Sequence, residues 1–277
     1  MYKPGLYVIA NDPQRTDAHD ISEEFSDELG EMSGCCLDVG SGSCDVVADF
    51  ILPKLNPKAS IVCSDISEPM MDFGREKYKD NNRMSFITLN IESPNLPEDL
   101  IKQFDHVTSF YCLHWCQDMG RVFGNIFNLL RPGGTTFLVF LANNPIRDAY
   151  PILAAMPSYQ PYMKDVDRHI PVYRNCEQPL ETVKALLKGV GFEVCHFSRR
   201  EKSYVFKTPI SLNFLLAVNP FIERMPTDLG EQYRQDLVKE VTKRCIIFNE
   251  NDNHEEEYSI LFGYNIFISY LKKPMSE

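Results

Sequence analysis

Apolar runs of strand length alternate with helical stripes through the first half of the chain. The runs fall at 35–39, 60–65, 84–90, 105–111 and 135–141, and between them 45–55, 69–79, 97–103 and 118–130 carry apolar residues at helical spacing. That rhythm predicts a parallel sheet with helical crossovers. Upstream, Asp12 and Pro13 form a cap and first-turn pair, and Ala18, Ile21, Phe25 and Leu29 make one stripe, so a helix precedes the first strand. The RPGG stretch from Arg131 to Gly134 stops the last of these helices and launches the next strand.

After Ala142 the rhythm breaks. "NNPIRDAYPILAAMPSYQPYM" holds four prolines and three tyrosines and reads as an inserted lid. "LETVKALLKGVGFEVCHFSRR" restores a helix, a Gly-Phe turn and a strand, "YSILFGYNIFISYLKK" supplies a last strand, and 208–248 between them reads as largely helical. There is no internal repeat and no low-complexity linker, so 1–277 is expected to be one domain. Its parts are an N-terminal helix or lid over 1–34, a ligand-binding core over 35–142, and cap insertions over 143–178 and 208–248.

Composition narrows the partners. A net charge of -11, from 28 Lys and Arg against 39 Asp and Glu, repels nucleic acid and anionic membranes. A small molecule is favoured. The longest apolar runs, such as Thr136 to Ala142, are too short to span a bilayer, and the start lacks a secretory segment, so a cytoplasmic protein without membrane insertion is expected. Nine cysteines without zinc-ribbon spacing read as reduced thiols. Cys112, His114 and Cys116 alternate along a strand end and do not converge on an ion, so no metal is expected.

The chemistry concentrates in "GCCLDVGSGSCDVVADFILPKL", Gly34 to Leu55, where a strand breaks into Gly-Ser-Gly before a helix. A dinucleotide fingerprint asks for a third glycine where Asp45 stands, and no Lys or Arg between Gly34 and Pro53 offsets that carboxylate against a pyrophosphate. S-adenosylmethionine (SAM) has no phosphate; it carries a sulfonium, an ammonium and a ribose diol. Asp38, at the first strand end, can face the ammonium, and Gly40, Ser41 and Gly42 allow the backbone close to the ligand. Asp65, at the end of the second strand, is placed to accept both ribose hydroxyls. Turn capping by the two aspartates explains the same pattern, and the residues alone leave both readings open.

Further motifs carry a resemblance: "PQRTDA" (Pro13 to Ala18), "LDVGSGSCD", "SDISEPMM" (Ser64 to Met71), "FDHVTSFYCLHW" (Phe104 to Trp115) and "NIFNLLRPGG" (Asn125 to Gly134). Over almost its whole length the chain resembles class I SAM-dependent methyltransferases, and among them the insect juvenile hormone acid O-methyltransferases. The resemblance implies a Rossmann-like α/β fold: a mixed seven-stranded sheet, mostly parallel with an antiparallel last strand, and helical cap segments. It implies SAM as methyl donor, an acceptor of the juvenile hormone acid or farnesoic acid type, and room for a homodimer. On SAM it places Asp38, Gly40, Ser41, Gly42, Asp65, Ile66, Asn90, Ile91 and Phe110. Two positions depart from the family pattern: Cys44 stands where a third small glycine is usual, and Asn90 where an Asp commonly accepts the adenine amine.

A carboxylate acceptor is already ionised at neutral pH and needs orientation, not a base. The resemblance nominates the Gln14 amide and the indole N–H of Trp115, the single Trp, as the orienting and catalytic pair. His114, expected to point away from Trp115 along a strand end, is a substrate contact at best. Tyr159, Phe214 and Phe221, with Met156, Tyr162, Leu215 and Val218, are candidates for a slot around an apolar chain, although helix packing accounts for them equally. Two other functions stay open. One is a weakly active or inactive paralogue that binds SAM or an isoprenoid acid, favoured by Cys44 and Asn90. The other is a methyltransferase for another small acid or a hydroxyl substrate, in which His114 would gain rank as a base.

Overall fold

The order of the strands, more than their number, positions a ligand. A computed structural model describes residues 8, 10–207, 215, 219–248 and 259–275. Its sheet contains β1 (Cys35–Val39), β2 (Ser60–Asp65), β3 (Met84–Thr88), β4 (Phe104–Phe110), β5 (Leu130–Asn143), β6 (Glu193–Lys207), β7 (Ile246–Phe248) and β8 (Ser259–Lys272). The spatial order is β3-β2-β1-β4-β5-β8-β6. The first five strands run parallel, and β8 lies antiparallel between β5 and β6. The chain winds outward from β1 in both directions, so β1 and β4 part at their carboxyl ends and leave a crevice.

Both faces of the sheet are covered, which is why its central strands read as unbroken apolar runs. Along β5, Phe137, Val139 and Leu141 enter one core, and Leu138, Phe140 and Ala142 the other. The first core is closed by α1 (Asp12–Glu24), α2 (Ser26–Glu31), a π-helical turn (Val47–Ile51), α3 (Glu68–Lys77), α5 (Pro145–Ala154) and α7 (Thr227–Thr242). The second lies under α4 (Met119–Leu129) and α6 (Pro179–Val190). Local chemistry sets these boundaries: Asp118 caps α4 by accepting from the Arg121 N–H at 2.9 Å, and Gly191 ends α6 at φ +111°.

Three sequence expectations change. The predicted helix over 97–103 is a single 3-10 turn, Glu98–Leu100, because Lys102 enters the left-handed region (φ +55°) and β4 begins two residues later. The 208–248 segment is not helical to its end: β7 pairs with β8 beyond the last β5 contact and makes an eighth strand. RPGG does not precede the strand but lies inside β5, at a bulge between Phe104 and His106 of the partner strand. Phe214 and Val218 lie outside the described residues. Among those described, no helix is long and apolar enough to cross a membrane.

Candidate active site

The glycine loop after β1 turns on every second residue: Gly40 (φ +76°), Gly42 (φ +53°) and Cys44 (φ +63°) are all left-handed. That geometry explains the glycine usual at the third position. Cys44 adopts it at a strain of about 1 to 2 kcal/mol, its thiol packed toward Gly74.

Asp38 lies buried at the end of β1, with its two oxygens taking the Thr108 hydroxyl at 2.6 Å and the Ser41 hydroxyl at 2.7 Å. Burial pushes its pKa up to about 6; the two hydroxyls oppose this and the charge of Asp65 adds to it. Asp65 accepts from the Gly42 N–H at 3.0 Å and the Ser67 N–H at 2.9 Å, so it holds the glycine loop as well as ending β2. Its pKa is also raised by burial, against those two amides. Beside it Ile66 is 66% exposed, an apolar side chain held out at a strand end.

Asn90 is exposed and accepts from the Glu92 N–H at 3.0 Å, an Asx turn that leaves one lone pair free. Ile91 is buried beneath it. Phe110 ends β4, and it and Tyr111 just beyond line the crevice with Gln14, Asp38, Gly40, Ser41, Asp45, Val46 and Val47. Gln14 comes from α1. Its amide oxygen is buried without a hydrogen-bond partner, an open valence at the crevice wall.

Asp45 changes the electrostatic reading of the loop. Its carboxylate accepts from Asn11 at 2.8 Å and Arg15 at 2.9 Å, and Arg15 also pairs with Asp49 at 2.8 Å. A cation from α1 therefore offsets the loop's acid, which no residue between Gly34 and Pro53 could do. The case against a dinucleotide must rest on the missing glycine and not on uncompensated charge.

Trp115 does not line the same cavity as Gln14. It faces a neighbouring one of about 430 Å³, with Glu92, Gln117, Arg168 and His169. The strand-end geometry expected for His114 is replaced by a 3-10 turn, Leu113–Trp115, which brings the His114 and Trp115 rings to 5.4 Å. His114 thus lies beside Trp115 and not opposite it. Its Nδ1 is buried without a partner, and burial together with the charge of Arg147 holds its pKa well below the usual imidazole value. It is a neutral ring and a weak base.

Tyr159 donates to Asp236 at 2.6 Å and packs edge-on against Tyr233, while Phe221 packs between Tyr150 and His169. Both are enclosed in the packing around α5 and α7, and Phe221 stands one layer behind the larger cavity. Among the described residues no group of His, Cys, Asp and Glu could hold a metal.

Sequence reading missed two residues. Asp17 lies three positions after Gln14 on the buried face of α1, and Arg147 lies three before Tyr150 in α5. In each case the available signal was a charge on an apolar helical face, and in neither was the partner local.

Residues 37–136 match a family model described as a methyltransferase domain. The juvenile hormone acid O-methyltransferase of Drosophila melanogaster is 37% identical over 99% of this chain and 93% of that protein. That of Bombyx mori is 33% identical over 99% of this chain and 98% of that protein. Among solved structures, a methyltransferase from Bacillus halodurans aligns with TM-score 0.58 at 17% identity, over 91% of this chain and 98% of that one. Phosphoethanolamine N-methyltransferase 2 of Haemonchus contortus, solved with SAM, aligns with TM-score 0.52 at 17% identity, over 92% of this chain and 53% of that one. These two likenesses concern the fold.

Proposed function

Because the chain belongs to the juvenile hormone acid O-methyltransferase family, we propose that this SAM-dependent methyltransferase esterifies the carboxylate of an apolar, isoprenoid-type acid in the cytosol. The observation that carries the reading is Gln14 on the wall of one crevice with Asp38 and the glycine loop, in a chain related end to end to a juvenile hormone acid O-methyltransferase.

The donor set fits SAM. Asp38 is a buried carboxylate without a cation among the described residues, its raised pKa answered by an arriving ammonium. Asp65 keeps lone pairs for a diol, and Ile66 offers an apolar face to a purine. Bound there, SAM supplies an electrophilic methyl group on a sulfonium. Gln14 and Trp115 bind and orient the acid as neutral donors, leaving its charge available for attack. The buried walls of Phe110 and Tyr111 exclude water. No residue has to take a proton. Gln14 and Trp115 line different cavities, so one carboxylate meets both donors only once the two cavities join on binding.

Transfer of labelled methyl from SAM to a panel of isoprenoid and fatty acids, with the product checked as a base-labile ester, tests this reading. Gln14→Ala and Trp115→Phe should each slow single-turnover transfer by about 1 to 3 kcal/mol of barrier while SAM affinity holds. At saturating SAM the wild-type rate should be flat from about pH 7 to pH 9, where the acid is fully ionised. A rate that climbs with an imidazole-like pKa and is lost in His114→Ala would move the enzyme to hydroxyl acceptors.

Asp38 gives a separate pH dependence. Its folded-state pKa is raised, so protonation favours the ligand-free fold: this contribution is complete below the ordinary carboxylate range and is lost as pH rises through about 6. SAM needs the carboxylate, so its affinity should move the other way, falling up to about tenfold per unit below that pKa and levelling above it. Calorimetric titration from about pH 5 to pH 8 measures this, and Asp38→Asn should flatten the profile. A wild-type profile already flat would remove Asp38 from the ammonium site.

A further inference from the structure

Arg147 carries a charge that no carboxylate among the described residues answers. It sits in the first turn of α5, where Asn144 caps the helix and accepts the Arg147 backbone N–H at 3.0 Å. The residue is only 3% exposed. Its guanidinium lies 3.9 Å from the centre of the Trp115 ring and 5.5 Å from that of Tyr150, and one Nη donates to the His169 carbonyl at 2.6 Å. Its sequence neighbour Asp148 is engaged elsewhere, by Arg174 at 2.6 Å and by Asn143 at 3.2 Å. Among the described residues no carboxylate pairs with it. A guanidinium offers five donors, so this one is buried with most of its hydrogen-bonding capacity uncommitted. Two aromatic faces and one carbonyl are poor compensation for a desolvated cation. The adjacent His114 ring, neutral and with an unpartnered Nδ1, adds no negative charge.

Resting on the acid-esterifying reading, we propose that Arg147 selects the acceptor: its guanidinium binds the carboxylate end of an apolar monocarboxylic acid and rejects uncharged acceptors. Any acid that reaches the Trp115 indole comes within the same neighbourhood, because guanidinium and indole are stacked. The two contacts divide the work. Trp115 and Gln14 orient the attacking oxygen, whereas Arg147 attracts and holds the anion. A cation beside a carboxylate stabilises its ground state and blunts its nucleophilicity, so Arg147 acts on binding and not on the chemical step. Loss of Arg147 should therefore raise KM for the acid while kcat holds or rises slightly, the reverse of the pattern for Gln14 and Trp115.

The test is calorimetric, on the full-length chain, with farnesoic acid and its methyl ester as probes. The two differ in charge and hardly at all in apolar surface. Arg147→Gln keeps a donor for the His169 carbonyl and should weaken the acid about ten- to a hundredfold while the ester changes by less than about twofold. Arg147→Lys, which keeps the charge without the planar stack, should retain preference for the acid over the ester. Equal weakening of both probes in Arg147→Gln would mean that Arg147 only buttresses Trp115 and would overturn the assignment. So would unchanged acid binding in that variant. Should Arg147→Gln fail to fold, loss of the acid-over-ester preference in Arg147→Lys overturns it. Wild-type protein that binds neither probe refutes the acid reading itself and this assignment with it.

Discussion

Gly40→Ala should eliminate measurable SAM binding and destabilise the fold by about 3 kcal/mol or more. A Cβ at this position would fall 2.1 Å from the Cys112 sulfur and 2.3 Å from the Cys112 Cβ, on a backbone at φ +76°. The clash is with the stem of a short side chain at the end of β4, which cannot swing aside as the tip of a long one could. Relief would require β1 and β4 to part where the crevice opens, displacing Asp38 from Thr108. A second substitution separates the two costs. Cys112→Ala removes the sulfur but keeps the obstructing Cβ and should rescue only in part, whereas Cys112→Gly removes both and should recover all but the left-handed strain of about 1 to 2 kcal/mol. Thermal melts with calorimetric titration of SAM measure both. A Gly40→Ala protein that melts and binds as wild type would show that the loop and the β4 end are not in fixed contact.

The positions legible in the sequence are those set by their own strand or turn. Asp38, Gly40, Gly42 and Asp65 stand where a largely buried apolar strand gives way to a loop, and that boundary is written in a few consecutive residues. The seven strands anticipated from the pattern are present for the same reason. β7 was not legible because its three residues are exposed and only pairing with β8 makes them a strand. The 97–103 segment misled because one apolar turn looks like the start of a helix, and nothing local announced the reversal at Lys102. Asp45 misled in another way. Its charge was visible, but Arg15, which neutralises it, lies 30 residues away on another element. Arg147 and Asp17 share that feature, since their side chains act through partners that only the folded sheet brings near.

Asp17 shows how large such a non-local effect should be. At 1% exposure its carboxylate accepts from the hydroxyls of Tyr111 and of Tyr264, the latter at 2.8 Å, and pairs with Lys202 at 3.0 Å. Burial and the Asp17 charge hold both phenols well above their usual pKa, so they remain donors throughout the neutral range. The cluster ties α1 to the end of β4, to β6 and to β8, one helical turn from Gln14. It also grips Tyr111, whose backbone is left-handed at φ +56°, a strained conformation at the crevice wall. Asp17→Ala strands two buried hydroxyls and leaves the Lys202 ammonium with the exposed Asp20 alone, at 3.3 Å, and should cost about 3 to 5 kcal/mol. Asp17→Asn, which can still accept from one tyrosine, should cost less and leave a protein that folds. In that variant α1 is held less firmly, so transfer to an acid should fall through Gln14 while calorimetric SAM affinity changes little. Denaturant titration of the two variants gives the stabilities, and Lys202→Met combined with Asp17→Ala should be milder than the sum of the single changes, because both remove the same Lys202–Asp17 pair. An Asp17→Ala protein within about 0.5 kcal/mol of wild type would mean that water replaces the carboxylate at no cost, and α1 would then owe its place to Ala18, Ile21 and the Arg15 pair with Asp45 instead.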